Sequence, residues 1–164
     1  DGEVRLRGPN LMTGYFKLPD ATNDAIDDKG FYRTGDMGRI DEHGILSITG
    51  RIKEMMFIAG ENVFPREIEE VLNHHPKVHA SGLVGIKSET RGEQPVAFVE
   101  LCPNLKEEAG PEAFDEQELI TYCREHLAGY KCPKRVMMLD ELPKNPTGKI
   151  LRKELRPIAE KLEA

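Results

Sequence analysis

The sequence has no tryptophan, and aromatic residues make up only 6% of its 164 residues. It has three cysteines, an odd number without C-x-x-C spacing, which argues against a disulfide framework or a zinc site and favours a reducing compartment. No apolar run approaches the roughly 18 residues that cross a bilayer. The charged opening "DGEVRLRGPN" is not typical of a secretory signal. We therefore expect a cytoplasmic protein without a transmembrane segment, and leave peripheral contact with a membrane open.

Basic residues are outnumbered by acidic ones, 23 to 29, which gives a formal net charge of -6 at pH 7. That balance argues against nucleic-acid binding. The charges are unevenly spread: residues 106–118 hold one lysine and six acids, whereas residues 131–156 hold eight lysines and arginines and three acids. The acidic block predicts a solvent-exposed loop that connects two elements. The basic block indicates a local anionic ligand.

Apolar periodicity predicts a mixture of short strands and helices. Strands are predicted at the start of the chain, in two hairpins over residues 37–49 and 55–64, and near residues 79–86, 95–101 and 135–140. Helices are predicted after Pro65, over residues 115–127, and over residues 150–162 with a bend or restart at Pro157. Because these elements follow no regular βαβ rhythm, the predicted fold class is α+β.

The polar stretch "GRIKE", residues 50–54, separates two apolar hairpins and predicts a domain boundary. Residues 1–52 are predicted to belong to something larger, and residues 53–164 to form a domain of their own. The opening enters in mid-element without an initiator methionine, which favours a cut piece of a longer protein. The apolar residues Val4, Leu6, Phe16 and Phe31 in the first part are then expected to be exposed, disordered or paired with a neighbouring molecule.

Three polar motifs carry the functional hypotheses. In "YRTGD", Asp36 follows a glycine on a turn that we expect to be exposed, where its carboxylate suits a vicinal diol such as a ribose. Arg51 offers a planar fork of donors for phosphate or ribose oxygens, and Gly60 allows a ligand close to the backbone. In "PKNPTGKILRKEL", Lys149 stands behind a Pro-Thr-Gly turn and can bring a point charge to a developing anion.

Each motif by itself also has a plain structural interpretation. An aspartate after a glycine often closes a turn, and lysine is common on solvated loops. The adjacent His74 and His75 precede Pro76 at the end of a predicted helix, which favours exposed capping over a metal site. The stretch "LPDAT", which starts at Leu18, predicts turns.

In this order and at this spacing, the motifs resemble those of the adenylate-forming superfamily of acyl-CoA synthetases, peptide-synthetase adenylation domains and luciferases. The resemblance covers the whole chain, from "GEVRLRGPNLMTGY" to "PTGKILRKEL", and is to the C-terminal part of an acid–CoA ligase. It implies a small mobile domain with a central sheet flanked by helices, preceded by a β-hairpin tail of a large N-terminal domain. Such enzymes form an acyl-adenylate from a carboxylic acid and ATP, and then transfer the acyl group to a thiol.

The resemblance implies roles for residues at matching positions. Asp36 is expected to bind the ribose hydroxyls of ATP and AMP, and Arg51 to contact the same nucleotide region. Lys53 falls at the hinge about which the small domain turns. Lys149 is expected to be the adenylation lysine, which bridges the attacking carboxylate and the α-phosphate and then leaves for the second step. Mg²⁺ is expected to bind through the N-terminal domain.

The resemblance also implies a surface for CoA. Ala59, Gly60 and Glu61 resemble the segment that lines the pantetheine tunnel in the thioester-forming state. Arg91 and Lys131 resemble positions that meet CoA phosphates in some relatives, with solvated loop cations as the alternative.

The acid that is activated cannot be read from this chain, because the acyl pocket belongs to the N-terminal domain. The pattern "LAGYKCPKRVMMLDELPKNPTGKILRKEL" most resembles fatty acyl-CoA synthetases, so a long- or medium-chain fatty acid is our first expectation. The alternatives are an aryl acid, a carrier-protein thiol in place of CoA, a luciferase-like oxidation, or a CoA- or nucleotide-binding module without catalysis. The chain by itself is expected to be inactive.

Overall fold

The computed structural model describes residues 2–162. The chain divides into two compact units, Asp1–Glu54 and Met55–Ala164, and each unit has its own sheet. This division lies two residues after the boundary between residues 52 and 53 that the sequence predicts. The assignment of the first unit to a larger N-terminal domain stays a prediction.

The first unit is a three-stranded antiparallel sheet with one helix. The strands β1, β2 and β3 lie side by side in that order, and their bounds are Gly2–Leu6, Tyr32–Ile40 and Leu46–Arg51. Asp41 shapes the turn of the β2–β3 hairpin, because its carboxylate accepts hydrogen bonds from the backbone N–H groups of His43 and Ile45 at 2.9 and 2.8 Å. This hairpin was predicted from the sequence, although its strands are longer than expected.

A helix, α1, replaces the turns that were predicted for "LPDAT". It runs over Pro19–Ala25, with the proline in its first turn, where no N–H partner is needed, and Asp20 beside it, where the helix dipole favours an acid. Thr22 ties the helix to the preceding loop, because its hydroxyl accepts from the N–H of Tyr15 and donates to the carbonyl of Leu18, both at 2.9 Å. The prediction of turns was wrong because it weighed proline and aspartate only as turn residues.

The second unit is a five-stranded sheet with helices on both faces. Its strands are β4 (Met56–Ile58), β5 (Glu61–Val63), β6 (Val78–Ser88), β7 (Gly92–Leu101) and β8 (Arg135–Met138). Its helices are α2 (Pro65–Asn73), α3 (Pro103–Ala109), α4 (Glu116–His126) and α5 (Arg152–Leu162). Strand β7 is central: it pairs antiparallel with β6 and β4 and parallel with β8.

The long hairpin of β6 and β7 has an apolar core on each face. Successive residues of a strand point to opposite faces, and Leu83 and Ala97 belong to one cluster while Val84 and Phe98 belong to the other. The first cluster includes buried side chains of α2 and α4, and the second includes those of α5. Burial on both faces explains the nearly continuous apolar runs in the sequence, and the predicted α+β class with a sheet flanked by helices is confirmed.

The acidic block, residues 106–118, is not simply a solvent-exposed loop between elements. Pro103 opens helix α3 at its N-terminal turn, and a 3₁₀ turn over Gly110–Ala113 follows, with Ala113 only 8% exposed. Lys106 on α3 donates a hydrogen bond to the carbonyl of Asp140. The block is ordered because these contacts fasten a charged segment to the domain, which composition alone did not reveal.

His75 is buried, contrary to the exposed position that the sequence suggested. It is 7% exposed, and its ring meets that of Tyr122 edge-on at 4.8 Å between centroids. Its Nε2 lies 3.6 Å from a carboxylate oxygen of Glu118, a partner that is distant in sequence. Desolvation lowers the pKa of His75, although the charge of Glu118 opposes this shift.

Helix α5 begins two residues later than predicted, at Arg152, and includes Pro157 without a restart. The expected start at Ile150 was wrong because Ile150 is bridged to Lys144 in extended backbone. The preceding segment is therefore a loop with a fixed base, and it carries Lys149.

Candidate active-site surfaces

The loop that carries Lys149 is a small closed ring of hydrogen bonds. Lys144 and Ile150 form an antiparallel bridge at its base. Within the ring, the N–H of Asn145 donates to the carbonyl of Lys149 at 2.8 Å, and the N–H of Gly148 donates to the carbonyl of Asn145 at 2.9 Å. The loop is therefore held in shape by its own backbone.

The side chain of Asn145 fills the centre of this loop. Its Oδ1 accepts from the N–H of Thr147 at 3.0 Å, from the Thr147 hydroxyl at 2.8 Å and from the N–H of Lys149 at 2.8 Å. Gly148 has a φ of 80°, which glycine adopts without strain. The backbone of Lys149 is thus fixed, whereas its side chain is exposed and pairs with no carboxylate among residues 2–162.

Glu100 on β7 anchors the other end of the loop. Its Oε2 accepts from the Lys144 ammonium at 3.0 Å and from the N–H of Leu142 at 3.4 Å. Burial alone would raise the pKa of Glu100, but the hydrogen bonds from Lys144 and Leu142 and the charges of Lys144 and Lys106 together outweigh burial and lower it. Glu100 is therefore an ionised anchor, and of the two lysines in the loop Lys144 is the one that pairs with a carboxylate.

In the first unit, Asp36 and Arg51 face each other across β2 and β3. They are direct partners in the strand register, and Arg51 Nε donates to Asp36 Oδ1 at 2.9 Å. The Asp36 N–H bonds the hydroxyl of Thr34 at 3.0 Å, and Gly35 has a φ of 70°. The prediction that Asp36 lies on an exposed turn was wrong, because the irregular backbone at Gly35 is accommodated inside a strand.

This carboxylate–guanidinium pair leaves polar groups for a ligand. The Asp36 side chain is 27% exposed and that of Arg51 is 60% exposed. Asp36 Oδ1 is occupied by Arg51, and Oδ2 bonds no group among the described residues. The pair can therefore accept and donate hydrogen bonds side by side, which suits the hydroxyls of a sugar.

Lys53 lies in a 3₁₀ turn, Ile52–Glu54, directly before the division between the two units. Its side chain is exposed. A short 3₁₀ turn is a common connector and is often found at hinges.

The turn between β4 and β5 brings together residues that were predicted for CoA. Ala59 and Gly60 have φ values of 52° and 91°, and two positive φ values in succession form the tight hairpin turn that matches strand twist. The N–H of Ala59 donates to the carbonyl of Arg91 at 2.9 Å, so this turn contacts the β6–β7 connection. Glu61 follows on β5 and is exposed.

Arg91 also lines a groove of about 450 Å³ in the second unit. Two other cations, Arg124 and Lys134, line the same groove. Sequence reasoning missed both, because Arg124 is on a predicted helix and Lys134 looked like one more residue of a basic block. The periodicity of α4 could have flagged Arg124 as facing away from the apolar stripe.

Lys131 is not part of this groove lining. Its ammonium contacts both carboxylate oxygens of Glu67 on α2, at 2.6 and 2.8 Å, and its side chain is 19% exposed. Its expected contact with CoA stays a prediction, and any such contact would compete with Glu67.

Two features of other site types are lacking from the described part of the chain. Within residues 2–162, no group of three or more His, Cys, Asp or Glu side chains is placed to hold a metal ion. No helix there is both long and apolar enough to span a bilayer.

The resemblance to adenylate-forming enzymes assigns roles to Asp36, Arg51, Lys53 and Lys149, and those roles stay predictions. The chain belongs to the family of AMP-binding enzyme C-terminal domains, whose pattern matches residues 67–149. The family that was predicted from the sequence is thereby confirmed.

Known relatives include ligases for different acids. The chain is 44% identical over 160 residues to a 2-succinylbenzoate–CoA ligase of Bacillus cytotoxicus, covering 98% of this chain and 31% of that one. It is 46% identical over 155 residues to a long-chain-fatty-acid–CoA ligase of Yersinia pestis, covering 94% and 26%. The chain thus spans about a third or less of the length of these relatives.

The fold also matches a solved ligase structure. The o-succinylbenzoate CoA synthetase of Bacillus subtilis, in complex with its acyl-adenylate intermediate, superposes with a TM-score of 0.83 at 35% identity. The match covers 94% of this chain and 30% of the synthetase.

Proposed function

We propose that this chain is the C-terminal part of an AMP-forming acid–CoA ligase. The observation that carries the proposal is the exposed Lys149 ammonium, which has no carboxylate partner among the described residues and stands on a loop held rigid by Asn145. Membership of the AMP-binding enzyme family supports it, as do relatives that are acid–CoA ligases.

In the first half-reaction, a carboxylate oxygen of the acid attacks the α-phosphorus of ATP, and pyrophosphate leaves. Two anions must approach each other, so a cation between them lowers their repulsion and stabilises the charge of the transition state. Lys149 has this role in our proposal. Asp36 accepts from the ribose hydroxyls, and Arg51 holds Asp36 while contacting the same part of the nucleotide.

In the second half-reaction, the thiol of CoA gives up its proton to water, its sulfur attacks the acyl carbonyl, and AMP leaves with the electrons of the broken C–O bond. Lys149 has withdrawn by then, and Lys53 is the hinge for that change. The turn of Ala59, Gly60 and Glu61 lines the path of the pantetheine arm. Arg91 and Lys131 meet the phosphates.

Magnesium, which we expect to accompany ATP, is assigned to a preceding domain. Among the described residues, no cluster of three or more His, Cys, Asp or Glu side chains marks a metal site. No step is therefore assigned to a metal on this chain.

For the acid, we propose a long- or medium-chain fatty acid. Support comes from the long-chain-fatty-acid–CoA ligase at 46% identity. An aryl acid is the second candidate, because a 2-succinylbenzoate–CoA ligase is 44% identical over a larger share of this chain. A panel of fatty acids of increasing length and of 2-succinylbenzoate, assayed for AMP release with CoA, separates the two.

The proposal is tested in the longest natural chain that contains this sequence, with Lys149→Ala. We expect acid-dependent ATP–pyrophosphate exchange to fall about 100- to 1,000-fold, since one preorganised charge on the developing anion is lost. Thioester formation from supplied acyl-adenylate and CoA should be retained.

Lys153→Ala is the matched control, because Lys153 is an exposed lysine of the adjoining helix. It should leave both half-reactions within about twofold of wild type. Equal exchange activity in the Lys149→Ala variant and the wild type would show that Lys149 is only a solvated lysine.

A further inference from the structure

Glu69 is a charged residue in the core of the second unit, and its partners fix it in place. It lies on α2, is 7% exposed, and its Oε1 accepts from the N–H of Leu83 on β6 at 2.8 Å. Two nitrogens of Arg152 donate to the same carboxylate: Nη2 lies 2.6 Å from Oε2, and Nε lies 3.2 Å from Oε1. A forked contact of this kind fixes orientation as well as distance.

Arg152 is only three residues beyond Lys149, and the residues between them are also fastened. The N–H of Leu151 donates to the carbonyl of Pro143 at 2.7 Å, and Ile150 packs against the core cluster of β6 and α5. The Glu69–Arg152 pair is therefore one of the contacts that hold the segment after Lys149 against α2 and the sheet.

The packing of α5 on the sheet does not by itself explain why a buried ion pair, Glu69 with Arg152, lies at the start of this helix. A pair of apolar side chains of similar size is often as stabilising as a buried salt bridge. The two hydrogen bonds from Arg152 to Glu69 additionally fix the orientation of the first turn of α5. A lysine that acts as a point charge depends on that direction, because a misplacement of about 1 Å can cost about 100-fold in rate.

We propose that Glu69 and Arg152 form a positioning pair, which sets the Lys149 loop for the adenylation half-reaction. The inference rests on the proposed function of Lys149. Neither residue touches substrate; Glu69 acts through Arg152, and Arg152 acts through the backbone that leads to Lys149.

The test uses Arg152→Lys and Glu69→Gln in the longest natural chain that contains this sequence. Arg152→Lys keeps the charge and loses the fork, whereas Glu69→Gln keeps an acceptor for Leu83 and loses the charge. Arg135→Lys is the matched control, because Arg135 Nε contacts Glu116 Oε1 at 2.7 Å and that oxygen also accepts from the N–H of Val136 at 3.0 Å. In this control pair too, a helix carboxylate accepts from an arginine and from a strand N–H, but the pair joins α4 to β8.

We expect Arg152→Lys and Glu69→Gln to lower the kcat of ATP–pyrophosphate exchange about 10- to 100-fold, with KM for ATP within about twofold. Thioester formation from supplied acyl-adenylate should stay within about twofold, since Lys149 takes no part in that step. Arg135→Lys should leave both half-reactions near wild type.

Combination with Lys149→Ala separates positioning from general stability. If Arg152 acts through Lys149, the variant with both substitutions exchanges no more slowly than Lys149→Ala alone. Additive losses, or equal losses in both half-reactions, would overturn the positioning role.

The same variants separate the failure of this inference from the failure of the proposed function. If Lys149→Ala leaves exchange intact, the proposed function has failed. If Lys149→Ala loses exchange while the Arg152 and Glu69 variants are fully active, this inference alone has failed. Circular dichroism melting of each variant identifies any that do not fold, and Glu69→Gln, the milder change, then decides.

Discussion

Cys123 has a thiol that the fold keeps protonated. It is fully buried in the cluster formed with α2 and α4, and burial raises the pKa of its thiol to about 12. In the unfolded chain the thiol has a pKa of about 8.5. As the pH rises above that value, the unfolded state loses its proton while the folded state keeps it, so the stability that this group contributes declines until about pH 12.

We therefore expect the free energy of unfolding to fall by up to about 1.4 kcal/mol per pH unit above pH ~9 because of this one thiol. Urea unfolding of wild type and of Cys123→Ala at several pH values measures it. The difference in free energy of unfolding between wild type and Cys123→Ala should be constant below pH ~8. Above that pH, the wild type should lose stability relative to Cys123→Ala. A gap that does not change up to pH ~10.5 would contradict the assignment.

The residues of the candidate site differ in how far the sequence could reveal them. Lys149 was readable because its turn chemistry is local: Asn145 and Gly148 lie within four residues of it. The contact of Asp36 with Arg51 was not readable, since it depends on the register of β2 and β3. The partner of Lys131 was equally hidden, because Glu67 is 64 residues away in sequence.

At the scale of elements, α5 packs closely on β6 because β6 has a glycine at the contact. A Cβ at Gly82 would lie 2.8 Å from Leu155 Cδ1 and 2.9 Å from Ile150 Cγ2. Both atoms belong to side chains that are packed into the second core cluster. The absence of a side chain at Gly82 therefore sets the distance between the sheet and the segment that follows Lys149.

Gly82→Ala is expected to destabilise the second unit by about 1–3 kcal/mol, because the added methyl group forces packed side chains to move. Gly129→Ala is the matched control, since a Cβ there meets nothing within 4 Å, and its effect should stay within about 0.5 kcal/mol. Thermal and urea unfolding measure both. Equal stability of the two variants would mean that α5 can shift without cost.

Elements with a single apolar stripe or a tight turn could be predicted from the sequence, and others could not. Helix α4 follows its periodicity, with Leu119, Ile120 and Cys123 buried and Asp115 capping its first N–H groups. Helices α1 and α3 are short and polar, and they are ordered by tertiary contacts such as that of Lys106 with Asp140. Local propensity is a weak guide to such segments, because contacts distant in sequence decide them.

At the scale of the whole molecule, the first unit exposes several large apolar side chains. Phe16 is 86% exposed, Ile40 70%, Ile45 61% and Leu6 49%. Exposed apolar side chains in such numbers are typical of a surface that another part of a protein covers. They support the proposal that this unit belongs to a larger domain, and the relatives are long enough to supply one. The same reasoning predicted exposure of Val4, Leu6, Phe16 and Phe31; Leu6 and Phe16 are exposed, whereas Val4 and Phe31 are partly buried.

The 164-residue chain by itself should therefore show no acid-dependent ATP–pyrophosphate exchange. In our proposal it supplies Lys149 and the Asp36–Arg51 pair, but a cation near the reacting atoms accelerates nothing unless the acid and the triphosphate are held in line. The assay compares the purified chain with the longest natural chain that contains it, at equal concentration and with the same panel of acids. Exchange that scales with the concentration of the short chain and disappears in its Lys149→Ala variant would contradict this expectation. Such a result would mean that the chain itself binds both the acid and ATP. The surface around Asp36 and Arg51 would then be sufficient as an active site and would not need residues from a larger domain.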